Sequence, residues 1–446
     1  MSSDCLETPQ DRALRHVLLA EREARKIPEV DPRIPSRNVS HVGIVGSGTM
    51  GLGIALAFLA AGYAVTMVEL SEEALTQGLD RVRRSLLTMV ERERLTGAQA
   101  DRQLAALRGT IEYRDLGALD LVIEAVFEDF ASKQAVFERL DEFCRPGCIL
   151  ATNTSTLDVN RIAAHTSRSA DVVGMHFFSP ANVMRLLEIV RGAQTRADVL
   201  ITAQAIAKRL GKTPVVVGVG YGFVGNRMME PYVREAQRLV LEGASAVQVD
   251  RVLTEFGMAM GPLAVLDLAG LDVTWRIRQT RRALIAHDPS YARLGDELYA
   301  LGRFGQKSGR GYYRYEGRER KDDPEVTELA LRVSQELGIA RRSITDREIL
   351  ERCLYSLIDE GARVLEEGIA YRAGDCDLVY VEGYGFPRWR GGPMHYAREI
   401  GLQSVVAGLE RYRSELREYG AMWFEASQLL RERAAAGGGF ETLEYS

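Results

Sequence analysis

The chain has 446 residues, of which 46% are hydrophobic and 27% charged, enough apolar side chain for several packed cores and too much for a disordered chain. With 57 basic against 62 acidic residues, the net charge of −5 excludes a global pull toward nucleic acid or an anionic membrane. The five cysteines, at 5, 144, 148, 353 and 376, show neither a disulfide framework nor zinc-ligand spacing, so ordinary thiols and no metal are expected.

Asp4, Glu7 and Asp11 precede any apolar run, which argues against a signal or transit peptide. The last residues, Glu444-Tyr445-Ser446, are no Ser-Lys-Leu-type address, and the expected location is cytoplasmic. Residues 1–36 read as an arm: a helical stretch over Arg12–Lys26, then Pro28, Pro32 and Pro35, which stop any helix. Val42 to Val68 carries no charge and is long enough to span a bilayer, but glycines at 43, 46, 48, 51, 53 and 62 break it. It reads better as strand, turn, buried helix and second strand.

From His41 the pattern alternates. Strands are expected over Val42–Val45, Val65–Leu70, Leu119–Val126, Cys148–Thr152, Asp171–Phe178, Arg185–Val190 and Pro214–Val219. Helices are expected over Met50–Ala61, Ser71–Leu95, Lys133–Phe143 and Arg196–Leu210, the last with Thr195 placed to cap it. Apolar strands alternating with helices predict an α/β domain with a doubly wound parallel sheet. After Gly222 helical periodicity dominates. A Gly/Tyr turn region over Gly305–Tyr315 closes that unit, and Glu316–Asp323 reads as a charged connector. Glu235, Arg238, Glu242-Gly243 and Asp250 recur as Glu360, Arg363, Glu367-Gly368 and Asp375, always 125 residues on. Gly261-Pro262 is echoed by Gly392-Pro393. A period this long is a domain duplication rather than a solenoid.

Gly46-Ser47-Gly48-Thr49-Met50-Gly51 matches G-x-G-x-x-G between a strand and a helix, the context that makes the pattern specific for a dinucleotide. The first glycine permits the tight turn, the second lets a pyrophosphate approach, and the third lets helix and strand pack. Glu69, at the end of the next strand, can accept from ribose hydroxyls and repel a 2′-phosphate, which favours NAD over NADP. Polar groups also collect near strand ends: Ser155, His176, Glu188 and Asn226. Each has a plainer reading: His176 as a core histidine satisfied by backbone, Ser155 as a turn or cap residue, Asn226 as a helix N-cap. Glu188, twelve residues after His176, would be costly to bury alone, and a His–carboxylate pairing would relieve it. On residues alone the reading stops at an NAD-dependent oxidoreductase with His176 as its base.

The full set of segments resembles the L-3-hydroxyacyl-CoA dehydrogenases of fatty-acid β-oxidation. The segments are Val42–Gly51, Asp120–Val126, Asn153-Thr154-Ser155, His176-Phe177-Phe178-Ser179-Pro180, Gly222–Arg227 and Phe304–Tyr313, in family order. The tail, with Gly383-Tyr384-Gly385-Phe386-Pro387 and Gly391-Gly392-Pro393, is similar to the last domain of the multifunctional β-oxidation enzymes, and the arm to their linker to the hydratase domain. Ser179 stands where the family often has Asn. The resemblance implies a Rossmann domain followed by two related all-helical domains. The expected boundaries are 1–36 for the arm, 37–219 for the NAD-binding domain, 220–315 for the first helical domain, 316–345 for a connector and 346–446 for the second helical domain.

It also implies roles. His176 would take the 3-hydroxyl proton while hydride goes to NAD, and Glu188 would orient it. Ser155 and Asn226 would bond the substrate oxygens. Gly46, Gly48, Thr49, Met50, Gly51 and Glu69 would hold the cofactor, and Glu124 would help seat the nicotinamide. The substrate is an acyl-CoA thioester, expected in a cleft between the first two domains. Arg81, Arg83 and Arg84 are candidates for the CoA phosphates, each with a solvated face as the plainer reading. With no room before the dinucleotide fold for a hydratase domain, hydratase activity is expected to be absent. A separate enoyl-CoA hydratase or thiolase is a candidate partner, with no nucleic acid and no membrane insertion. Glu351 occupies the place of Asn226 in the second copy, so that copy is expected to be non-catalytic, and by filling the surface through which single-copy relatives dimerise it predicts a monomer. The alternatives are a dehydrogenase of a free hydroxy acid on the same fold and a non-catalytic binding protein.

Overall fold

Eight strands make one sheet in the computed structural model, which describes residues 8–440 apart from 318. Asp4, Cys5, Glu7, Arg318 and Glu444–Ser446 lie outside the described residues. The strands are β1 (His41–Val45), β2 (Ala64–Val68), β3 (Leu107–Thr110), β4 (Leu121–Glu124), β5 (Ile149–Thr152), β6 (Val172–Phe177), β7 (Leu186–Arg191) and β8 (Thr213–Gly218), in the order 3-2-1-4-5-6-7-8. β4, β5 and β6 are buried throughout, as strands covered on both faces by helices are.

The parallel sheet expected from the sequence needs one correction. β7 runs antiparallel to β6, with Gly174 opposite Val190 and His176 opposite Glu188. Only residues 178–185 join the two strands, too few for the dozen-residue crossover that a parallel neighbour requires. The edge strand β3 and the helix Gly97–Ala105 before it, started by a Thr96/Gln99 capping box, are elements the sequence reading does not contain.

The helix Thr49–Ala60 lies between β1 and β2 and buries Ile54, Ala55 and Phe58 completely, so the charge-free run is strand, helix and strand. Among the described residues, no helix is long and apolar enough to cross a membrane. The helix Glu72–Glu91 starts as expected, with the Ser71 hydroxyl accepting from the Ala74 amide at 3.2 Å. Thr195 is not a cap. Arg196 holds that position before Ala197–Arg209, while the Thr195 hydroxyl donates to the Val172 carbonyl (2.7 Å) and accepts from the Gly192 amide (3.0 Å). Cys144, Cys148, Cys353 and Cys376 are buried free thiols.

The chain divides into two units. The sheet unit holds residues 16–226 together with 367–383; the helical unit holds residues up to 15, 227–366 and 384 onward. Within the sheet unit, the helix Ala373–Gly383 packs against β7 and β8. The charged connector of the helical unit is a small antiparallel hairpin, Arg314–Glu316 with Glu319–Lys321.

Positions related by the 125-residue echo pair reciprocally inside the helical unit. Arg227 pairs with Glu360, and Arg352, 125 residues after Arg227, pairs with Glu235, 125 residues before Glu360 (2.9 Å). That is the i-to-j, j-to-i pattern of an isologous interface, here within one chain. Prolines 262 and 393 each open a helix, Pro262–Ala269 and Pro393–Ile400. Glu351, in the place of Asn226, is bonded to Arg347, Arg411 and Tyr412.

Arg352 has no exposed side-chain surface and also pairs with Glu242 at 2.6 Å. Arg352→Met would remove the cation that two buried carboxylates share, leaving Glu235 with Arg234 and Glu242 with Arg238 and Arg342, at a cost of about 3 kcal/mol in urea unfolding. Arg332→Ala, which removes exposed pairs to Glu297 and Glu336, is expected to leave the urea midpoint unchanged.

Candidate active site

The turn after β1 sits where the sheet order reverses, with β1 flanked by β2 and β4, the switch point at which such sheets bind ligands. Gly46 has φ +100°, and a Cβ there would lie 2.7 Å from the Ala125 carbonyl oxygen. A Cβ on Gly51 would lie 1.9 Å from the Gly46 oxygen. A Cβ on Gly48 would meet nothing within 4 Å, so the middle glycine faces open space. Thr49, Met50 and Gly51 form the first turn of the helix, whose N-cap Gly48 offers no side chain to their amides. Free amides and the positive end of the helix dipole suit a pyrophosphate. The residues present therefore fit a dinucleotide. Glu69 at the end of β2 accepts from the Ser47 amide (2.5 Å) and the Leu70 amide (3.2 Å), which ties the carboxylate to the turn. Arg81 donates to the Ser47 carbonyl (2.8 Å) and so braces this turn. Arg83 and Arg84 stay exposed on the same helix.

His176 is the penultimate residue of β6 and 5% exposed. The antiparallel register puts Glu188 across from it, with Nδ1 2.7 Å from Glu188 Oε2. Glu188 has no exposed surface, and its Oε1 accepts from the backbone amides of Val224 (3.2 Å) and Gly225 (3.0 Å). Three donors thus hold one buried carboxylate. With a carboxylate as its partner Nδ1 carries the proton, and Nε2 holds the lone pair that a base needs. The rings of Phe178 and Phe223, 4.4 and 5.7 Å away by centroid, wall the imidazole. The Asn153 side-chain oxygen accepts from the Phe177 amide at 2.8 Å, which ties the end of β5 to the end of β6.

Beyond the end of β5, Ser155 and Asn226 meet, the Asn226 side-chain Nδ2 donating to the Ser155 backbone carbonyl at 3.3 Å. Asn226 lies inside the first turn of the helix Gly225–Glu242 rather than at its N-cap. The Ser155 amide and hydroxyl both donate to Glu128, at 2.7 and 3.2 Å. Glu124 is the last residue of β4. It has no exposed surface, and both its oxygens are taken, by Lys133 (2.7 Å), the Val126 amide (2.8 Å) and Thr152 (2.7 Å). It anchors Lys133, which also reaches Glu128 at 3.2 Å. Burial raises the Glu128 pKa, but the Lys133 charge and the bonds from Thr154 and Ser155 outweigh it and hold the carboxyl below its ordinary range. Glu128 and Lys133 are site residues that sequence reasoning missed. Their signal was the spacing Glu124, Glu128, Lys133, which runs from the strand end into the next helix.

Two family models match the chain: 3-hydroxyacyl-CoA dehydrogenase, NAD binding domain, over residues 41–220, and 3-hydroxyacyl-CoA dehydrogenase, C-terminal domain, over 222–315. A "Peroxisomal bifunctional enzyme" of Danio rerio is 42% identical over 447 residues, 96% of this chain and 61% of the relative, so the chain spans about three fifths of that relative's length. A solved 3-hydroxybutyryl-CoA dehydrogenase of Escherichia coli superposes with TM-score 0.78 at 29% identity, covering 91% of this chain and 100% of that one. The dehydrogenase part of a multifunctional enzyme of C. elegans superposes with TM-score 0.69 at 29% identity, covering 94% of this chain and 96% of that one. The cytoplasmic location expected from the sequence finds no support among relatives that are peroxisomal by name. The glycine turn, the buried His176–Glu188 pair and the two matched domains, in order along one chain, place this protein in the NAD-dependent 3-hydroxyacyl-CoA dehydrogenase family.

Proposed function

We propose that this chain catalyses reversible hydride exchange between NAD and the hydroxyl-bearing carbon of an (S)-3-hydroxyacyl-CoA, with His176 as the general base. The observation that carries this reading is the imidazole whose Nδ1 is fixed on a wholly buried carboxylate. When bound, NAD accepts the hydride. His176 Nε2 takes the 3-hydroxyl proton, and the imidazolium that forms faces Glu188 at 2.7 Å in a water-poor wall of aromatic rings. The backbone amides of Val224 and Gly225 keep the Glu188 charge in place. Ser155, held by Glu128 through its amide and hydroxyl, and Asn226 hydrogen-bond the substrate oxygens. In the reverse direction the same histidine is the acid.

The reciprocal Arg–Glu pairing supports a monomer, since the self-complementary surface is filled from within the chain. Peroxisomal relatives favour a matching compartment over the cytoplasm.

The direct test is NADH oxidation with acetoacetyl-CoA, run beside NADPH and free acetoacetate. Rapid loss with NADH and the thioester alone is the expected result; turnover of the free acid and not the thioester would move the activity to a hydroxy-acid dehydrogenase. His176→Gln is expected to lower kcat by about 10²–10⁴-fold with NADH affinity unchanged within about twofold. Gly51→Ala forces a methyl onto the Gly46 carbonyl and should cost about 1–3 kcal/mol of stability, with weaker NADH binding by fluorescence titration.

A further inference from the structure

The two amides that hold Glu188 belong to a turn that its own sequence does not stabilise. Gly222 has φ +70° and Phe223 φ +50°, a conformation that a bulky residue keeps only when its surroundings impose it. The surroundings come from residues 367–383, more than fifty positions beyond the end of the matched family domains. The Gly218 amide donates to the Ile369 carbonyl at 2.8 Å. A Cβ on Gly220 would lie 2.3 Å from the Ile369 side chain, so the chain passes directly against it. The Tyr380 hydroxyl, on a side chain with no exposed surface, donates to the Gly225 carbonyl at 3.2 Å. Gly225 is the residue whose amide meets Glu188 at 3.0 Å. Cys376, one helical turn before Tyr380, is wholly buried, and burial first, then the Asp377, Asp375 and Glu188 charges, push its thiol pKa up.

We infer that Tyr380 is a positioning residue for the proton-transfer pair: by fixing the peptide that follows Gly225 it restrains the Gly225 backbone, and through the Gly225 N–H the angle at which Glu188 meets His176 Nδ1. The chain of contacts is Tyr380 hydroxyl, Gly225 carbonyl and amide, Glu188, His176. The helix Ala373–Gly383 thereby supports the proton-transfer pair. The inference rests on the proposed role of His176.

Tyr380→Phe removes one hydroxyl and keeps the packed ring. With acetoacetyl-CoA and NADH, kcat is expected to fall about 3- to 10-fold, the range covered by loss of one neutral hydrogen bond. KM for the thioester and Kd for NADH should stay within about twofold. The downfield Nδ1 proton resonance of His176, identified by its loss in His176→Gln, should shift or broaden. In a Glu188→Gln background the Tyr380 effect should vanish, because the two act through one bond. Wild-type kcat and an unmoved resonance in Tyr380→Phe, or an effect that persists in full without the Glu188 carboxylate, would overturn the inference. An inactive wild-type protein would instead strike the proposed function, and the resonance would still report whether Tyr380 governs the pair.

Discussion

A buried carboxylate is the constraint around which the sheet unit is organised. Glu188 sits in a strand covered on both faces, where an anion is tolerated only if every lone pair that counts is met. The reversal between β6 and β7 supplies the first partner by placing His176 directly opposite. The turn after β8 supplies the other two, by bringing the Val224 and Gly225 amides back to the same oxygen. A histidine held this way keeps one tautomer and one ring orientation, which is what a base must do before it meets its substrate. The neighbouring strand ends follow the same pattern: Glu124 buried against Lys133, and Lys133 shared with the Glu128 that fixes Ser155. Charge is buried in pairs so that a few polar atoms at the strand ends are held in fixed directions.

The duplicated region does two jobs in different units. In the helical unit its arginines and glutamates cross-pair with those of the first copy, so the two copies fold around one buried ionic network of Arg352, Glu235 and Glu242. Burying an arginine with two carboxylates adds little net stability over apolar packing, but it fixes register, because any other alignment strands a charge. In the sheet unit a short piece of the same region, 367–383, lies against β7 and β8. Glu351, standing where the first copy has Asn226, is absorbed into bonds with Arg347 and Tyr412.

Much of the fold was legible because its signals are local. The strand–glycine–helix junction at 42–60, the Ser71 cap and the 125-residue echo all follow from residues next to one another or from a fixed period. What was not legible depends on partners far away in sequence. β3 is an edge strand of Leu-Arg-Gly-Thr with two exposed positions, so it has no apolar run to announce it. The direction of β7 follows from connection length, a cue that the alternating α/β pattern overrode. Thr195 has the right residue type for a cap, but the Val172 carbonyl offered its hydroxyl a better partner. At the site, the family motifs pointed to His176, Glu188, Ser155 and Asn226, and the structure brings these together as two pairs. Glu124 was picked for its match to the family's acidic residue near the nicotinamide; it is buried against Lys133, and Glu128, four residues on, holds Ser155.

The central claim is that the Glu188 charge, delivered through Nδ1, makes His176 a base. The most direct measurement is the turnover of Glu188→Gln with acetoacetyl-CoA at saturating NADH, with NADH affinity and far-UV circular dichroism measured on the same protein. A loss of about 10²-fold or more in kcat, with cofactor binding and fold intact, is the result expected if the carboxylate stabilises the imidazolium. Turnover within about twofold of wild type would contradict it and leave the buried pair a structural feature of the sheet.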